Sequence, residues 1–142
     1  MTTRTKSTSN RFSWGETQSG TWATGGGGTG KVSMQDFHFT MAVSKASPAL
    51  FLACAEGDHI KNAILTCRKA GEEQQEFLKI TMSDVLVSSF QIGGSGAGDV
   101  VPTDQISLNF AKIEVEYKEQ DAAGKVLSTT KKFFDLRSYK GG

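Results

Sequence analysis

Residues 106–117 read ISLNFAKIEVEY. Ile106, Leu108 and Phe110 alternate with Ser107 and Asn109, and Ile113, Val115 and Tyr117 alternate with Glu114, Glu116 and Lys118. Period two places successive side chains on opposite faces of a pleated strand, so the stretch is β. Its apolar positions pass from even to odd between Phe110 and Ile113. One continuous strand keeps its apolar side inward only if it bends there, and the phase change predicts a bulge near Ala111 and Lys112.

Working outward, Glu76 to Ile92 forms a second long strand. Leu78, Ile80, Met82, Leu86, Phe90 and Ile92 share one face, and Lys79, Thr81, Ser83, Ser89 and Gln91 share the other. Val85 and Val87 interrupt the polar face, which suggests a patch that touches either another part of the chain or another subunit. Shorter strands are expected at Phe12 to Glu16, Val32 to Thr40, Ala63 to Lys69 and Thr129 to Leu136, with turns at Ala70-Gly71 and Ala123-Gly124. Ser47-Pro48, an apolar run from Ala49 to Ala55 and Gly57 stand in the order of an N-cap, a first-turn proline and a C-terminal glycine. They predict one short helix that packs through Leu50, Phe51 or Cys54. The expected fold is mainly β, a small barrel of two sheets with one short α-helix.

The chain has 142 residues, the size of one ordinary domain. We expect residues 1–11 to be a flexible N-terminal segment and 12–142 a single domain. A hydrophobic content of 37% suffices for a core. Sixteen Lys and Arg against fifteen Asp and Glu leave +1, too little for a protein that binds nucleic acid by bulk charge. No apolar run reaches the roughly 18 residues of a membrane-spanning helix, and the opening MTTRTKSTSNRFSW has no apolar stretch of a secretory signal. Cys54 and Cys67 are expected as reduced thiols, with a single disulfide as the alternative. Glycine is the compositional oddity: 16 residues against two prolines, above the common level of about 7%.

Each resemblance to catalytic chemistry fails on context. GGGGTGK at Gly25 to Lys31 matches G-x-x-x-x-G-K, but Val32 stands where a Mg²⁺-binding Ser or Thr belongs. A strand-like stretch follows in place of the helix whose N-terminus would hold phosphates. His38 and His59 have no metal-ligand spacing to each other or to the cysteines. GGSG at Gly93 to Gly96 is not a G-x-S-x-G nucleophile elbow, and Glu72-Glu73, Glu114 and Glu116 read as solvated acids. No catalytic residue, metal site or cofactor is expected, and the chain is not read as an enzyme.

The succession FSWG…QSG (12–20), GGGGTGKVSMQDFHFT (25–40), KASPALFLACAEGDHI (45–60), LTCRKAG (65–71), EFLKITMSDVLVSSF (76–90), GGSG (93–96) and ISLNFAKIEVEY (106–117) resembles the haemolysin-coregulated proteins, the inner-tube family of bacterial type VI secretion. The resemblance implies a β-barrel that assembles as hexameric rings stacked into a tube similar to phage tail tubes. It implies partnership with a spike protein, a contractile sheath and small effectors carried in the lumen. It also implies a protein that is cytoplasmic when assembled and secreted without a signal peptide, with no nucleic-acid partner and no membrane insertion. The alternatives are a phage or tailocin tail tube protein, or a monomeric barrel-type binding module. One departure stands out: the apolar first strand that family members carry before the FSWG-like block is missing from MTTRTKSTSNR, which would leave an unpaired sheet edge.

On this pattern, the subunit or ring contacts are assigned to Gly25, Gly26, Gly27, Gly28, Gly30, Gly93, Gly94 and Gly96, whose lack of side chains permits close backbone approach, and to Val85 and Val87. The lumen-facing or effector-facing wall is assigned to Ser13, Lys79, Thr81, Ser83, Ser89, Gln91 and Ser95. The reading of residues 25–31 as a structural loop has a direct check. ATP or GTP with Mg²⁺ is expected to leave both the melting temperature and the amide spectrum unchanged, whereas saturable stabilisation would restore a nucleotide site.

Overall fold

A computed structural model describes residues 9–20, 30–68, 76–96 and 101–142. The elements are β1 Ser9–Ser13, β2 Glu16–Gln18, β3 Val32–Met34, β4 Phe37–Ala42, α1 Ser47–Glu56, β5 His59–Arg68, β6 Glu76–Gly93, β7 Thr103–Gln120, β8 Val126–Asp135 and β9 Lys140–Gly141. The fold is mainly β with one helix and two sheets. A seven-stranded sheet runs β1-β4-β7-β6-β5, with β8 added to β7 and β9 to β8, and β2 pairs with β3 in a separate ribbon. Among the described residues this path is open, ending at β1 and at β5.

Two of the expected strands are each divided in two. The chain leaves the main sheet after Ser13 and re-enters it at Phe37. The crossing is held by Gln35 N–H donating to the Gly15 carbonyl at 3.0 Å. The Asp36 carboxylate accepts from the Ser88 hydroxyl at 2.6 Å and the Asn109 amide at 3.0 Å. The 121–125 turn forms as expected: Asp121 accepts from the backbone N–H groups of Ala123 and Lys125, and Gly124 takes a φ of 85°. The Ala70-Gly71 turn lies outside the described residues.

The chain divides into two compact units, to each of which β6 and β7 contribute one half. The first holds the described residues up to Asp58, together with Val87–Asn109. Its centre is the antiparallel pairing of β4 with β7, in register Phe37↔Leu108, Phe39↔Ile106 and Met41↔Asp104. Phe37, Met41, Ile106 and Leu108 are buried, and Phe12 stacks on Phe37 at 6.0 Å and 7°. Helix α1 covers Ser47–Glu56 but is capped differently from expectation. Ala46, not Ser47, is the N-cap, and Ser47 lies one residue inside. Its hydroxyl accepts from Ser44 N–H at 3.0 Å and donates to the fully buried Asp104 carboxylate. A carboxylate taken out of water needs a donor more than the helix needs a cap, which decides where the Ser47 hydroxyl goes. Gly57 closes the helix in the left-handed conformation at φ 66°, with Asp58 N–H on the Ala53 carbonyl. Of the expected packing residues, Leu50 and Cys54 are half-buried, while Phe51 stays exposed and meets Phe90 only edge-on.

The second unit holds His59–Leu86 with Phe110–Gly142. Here β5 and β6 pair in register Leu65↔Ile80, Ala63↔Met82 and Ile60↔Val85. Asp84 adopts a φ of 53°, and the β5–β6 pairing skips it and Lys61. Both Asp84 oxygens are held, Oδ1 by His59 Nε2 at 2.9 Å and Oδ2 by Arg137 Nη2 at 2.7 Å. The residue steps the alternation of β6: Ile80 and Met82 are buried before it, Val85 and Val87 after it. This corrects the expected single apolar face. Val85 and Val87, assigned above as subunit contacts, are 1% and 2% exposed core residues, and Leu86 and Ile92 are exposed instead.

The phase change in β7 is present as well: Ile106, Leu108 and Phe110 are buried, then Ile113. It falls where β7 exchanges β4, paired through Leu108, for β8, paired from Lys112. Register is unbroken in each ladder beside the change, so the expected bulge lies in neither. Neither cysteine forms a disulfide, and burial pushes the Cys67 thiol up. The closing strand β8 extends slightly beyond the expected one at its start, and β9 returns along it. Tyr139 meets Phe134 edge-on at 5.2 Å, and Lys112 Nζ sits 4.4 Å from the Phe133 ring centroid. No helix among the described residues is long and apolar enough to cross a membrane.

Two outcomes follow from these polar contacts. Ser47→Ala removes the donor from a buried carboxylate and is expected to lower stability by about 1–3 kcal/mol in denaturant titration. A change within a few tenths of a kcal/mol would show that Asp104 is satisfied without it. Asp135 titrates below its ordinary 3.8 because it accepts from the backbone N–H groups of Arg137 and then Ser138. A depressed folded value means that the stabilisation is complete above the unfolded value and is lost as pH falls through the folded one. Acid titration by NMR should show the Arg137 and Ser138 amides moving with a midpoint below 3.8, and Asp135→Asn should abolish that titration.

Candidate functional site

Four strands of the first unit build a shared polar surface. Across β1, β4 and β7 the register aligns Arg11 with Thr40 and Gln105, and Ser13 with His38 and Ser107. Between these two rows runs an apolar one, Phe12, Phe39 and Ile106. Strand alternation sends it to the opposite face. Ser89 and Gln91 of β6 join the polar rows around an open concavity of about 600 Å³, which Phe90 also borders.

His38 Nδ1 and Ser107 Oγ lie 2.6 Å apart as direct cross-strand partners. Among the described residues Arg11 is the only Lys, Arg, Asp or Glu that borders the concavity. Hydroxyls, amides and an imidazole border it alongside Phe12, Phe39, Phe90 and Ile106, and the polar groups can exchange hydrogen bonds with water and with a polar ligand in many orientations. Among the described residues no carboxylate borders it to orient the imidazole of the His38–Ser107 pair as in a nucleophile–base–acid array. Among the described residues no cluster of His, Cys, Asp or Glu has the makings of a metal site.

Of the residues assigned to a polar wall from sequence, Ser13, Ser89 and Gln91 come together here. Lys79, Thr81 and Ser83 do not: they are half-buried on β6 before the step at Asp84. Ser95 is exposed just past the end of β6. Among the assigned contact glycines, Gly25, Gly26, Gly27 and Gly28 lie outside the described residues. Gly30 makes its close approach within the chain, since a methyl group there would collide with the Gly20 backbone. That neck is clamped by Lys31 N–H on Ser19 Oγ at 3.0 Å and Ser19 N–H on the Lys31 carbonyl at 3.2 Å. Gly94 faces Pro102, where a methyl group would stand 3.2 Å from Cβ, and Gly93 and Gly96 face open space. Val85 and Val87 are in the core.

The sequence reading missed Arg11, His38, Thr40, Gln105 and Ser107. Their signal was present in the alternation of Phe37, Phe39 and Met41 with His38 and Thr40, and of Ile106 and Leu108 with Gln105 and Ser107. What the alternation lacks is the register that lays those short polar runs side by side.

Comparison with known proteins places this geometry. A family model described as the type VI secretion system effector Hcp matches residues 4–117. Protein hcp1 of Pseudomonas aeruginosa is 50% identical over 95 residues, which take in 66% of this chain and 58% of that relative. The match thus spans less than two thirds of the relative's length. A solved type six secretion system protein superimposes with a TM-score of 0.86 at 26% identity, over 94% of this chain and 85% of the other. Hcp1 from Salmonella typhimurium does so with a TM-score of 0.74 at 28% identity, over 94% and 82%.

Proposed function

Since the chain belongs to the Hcp family of type VI secretion proteins, we propose that it is a structural subunit of the secretion system's inner tube. Copies assemble as hexameric rings, the rings stack, and the contractile sheath drives the tube out with its spike. The subunit is cytoplasmic when assembled and leaves through the type VI apparatus. Its role is mechanical and not catalytic, and small effectors travel in the lumen.

The observation that carries this reading is the division of one sheet into two chemistries. The pairing of β4 with β7 sends Phe37, Phe39 and Met41 to one face and His38 and Thr40, with Gln105 and Ser107, to the other. A tube wall needs that combination, an interior that is dry and a second surface that tolerates a wide aqueous channel. A surface rich in Ser, Thr and Gln wets the channel, with Arg11 as the one charged side chain that borders it among the described residues. A net charge of +1 also lets many copies stack without strong self-repulsion.

Sedimentation and negative-stain microscopy of the purified chain test the assembly. The expected result is an annular particle with a mass near six times the 15.3 kDa of one chain, stacking at higher concentration. A chain that remains at 15.3 kDa at millimolar concentration overturns the tube-subunit reading in favour of a monomeric binding module.

A further inference from the structure

The polar face of the first unit carries a charge bias that the chain as a whole lacks. Sixteen Lys and Arg stand against fifteen Asp and Glu overall. Yet among the described residues that border the concavity, Arg11 is the one charged residue and none is a carboxylate. The β1–β4 ladder shifts register between Ser9 and Arg11 and runs regularly from Arg11 to Ser13, which places the exposed Arg11 and Ser13 on one face. A guanidinium presents five donors in a planar fork that fits a carboxylate. It repels a cationic ligand, and no acid among the described residues of the concavity offsets that repulsion.

His38 adds a second donor. Its Nδ1 lies 2.6 Å from the Ser107 hydroxyl, and with that hydroxyl donating, the ring proton sits on Nε2. The extent of the surface selects the kind of ligand. Polar groups continue over four adjacent strands, β1, β4, β7 and β6, from Arg11 to Ser89 and Gln91. At the spacing of paired strands this is about 14 Å, more than a free amino acid spans and about the length of four extended peptide residues. Thr40, Gln105 and Gln91 can each donate and accept, which suits the N–H and C=O groups of a peptide on either side of an acidic side chain.

We propose that this face binds extended polypeptide through its acidic side chains, with Arg11 as the residue that selects acid over amide and over base. The proposal rests on the reading of this face as the wall that cargo meets, and deepens it by naming the chemistry of that cargo: a polypeptide that presents Asp or Glu in an extended segment. Each copy of the chain contributes one Arg11, so assembly repeats the charge along the wall. Salt weakens the preference, as it weakens any exposed ion pair.

Three peptides with blocked termini test the selection: Ser-Gly-Glu-Gly-Ser and its counterparts with Gln or Lys at the centre, with free glutamate as a fourth probe. Each is titrated with the chain and followed by line broadening of its own NMR signals. The wild-type chain is expected to bind the Glu peptide about threefold or more tighter than the Gln peptide at low salt, the margin of an exposed ion pair, and the Lys peptide most weakly. Arg11→Gln should level the Glu and Gln peptides, Arg11→Lys should keep the order, and Arg11→Glu should favour the Lys peptide, with circular dichroism establishing that each variant is folded. No binding, equal binding of the Glu and Gln peptides by the wild-type chain, or a preference that survives Arg11→Gln overturns the proposal. Free glutamate bound as tightly as the Glu peptide overturns the choice of a polypeptide. Sedimentation of the same samples separates this proposal from the tube reading: an assembled chain without the preference loses the acid selection and keeps the tube, and a monomeric chain with it loses the tube and keeps an acid-binding face.

Discussion

The register between β4 and β7 is the constraint on which the rest of the first unit depends. Because side chains alternate with period two, a slip of one residue would carry His38 and Thr40 into the core and Phe37, Phe39 and Met41 onto the polar surface. The native register holds Phe39 against Ile106 and His38 against Ser107, so one ladder sorts both chemistries at once. Burial of the aromatic and aliphatic row makes the slipped alternative costly, at about 1.5–3 kcal/mol for each large side chain returned to water. The polar concavity is thus a by-product of core formation, and its shape inherits the rigidity of the core.

Polar groups appear where that alternation has to be interrupted. Asp104 lies in the buried row opposite Met41, and its carboxylate is met by Ser47 at the start of α1, which ties the helix to β7. Asp84 interrupts β6 with a backbone conformation that costs on the order of 1–3 kcal/mol outside glycine. His59 and Arg137 hold both of its oxygens. Asp36 performs a similar task at the crossing between the ribbon and the main sheet, with Ser88 and Asn109 as donors. Asp84 and Asp36 thus mark departures from regular sheet geometry and Asp104 a carboxylate within the apolar row, each with partners distant in sequence.

Membership of the Hcp family connects these features with type VI secretion, and under the proposed assembly each surface recurs in every copy. For such a protein the surfaces left exposed carry as much meaning as the core. Arg11, on the polar face of each copy, is the clearest instance. The Gly20–Gly30 close approach lies at the outer end of the β2–β3 ribbon and keeps it narrow there.

Much of this was legible from residue order alone. Period-two patterning identified the long strands, Pro48 and Gly57 bracketed the helix, and the collinear blocks identified the family, because each is a local property written in neighbouring residues. The polar wall was only half legible. Ser13, Ser89 and Gln91 were found, but His38, Thr40, Gln105 and Ser107 needed the ladder that sets β1, β4 and β7 in register. Val85 and Val87 were misplaced for a related reason: the step that buries them is made at Asp84 and held by His59 and Arg137, two residues that pattern analysis of a single strand does not see. Strand identity and helix ends were determined by the sequence itself, through local backbone preference and alternation. Which face of each strand is buried was decided only by the tertiary structure, because that choice belongs to contacts between residues far apart in the chain.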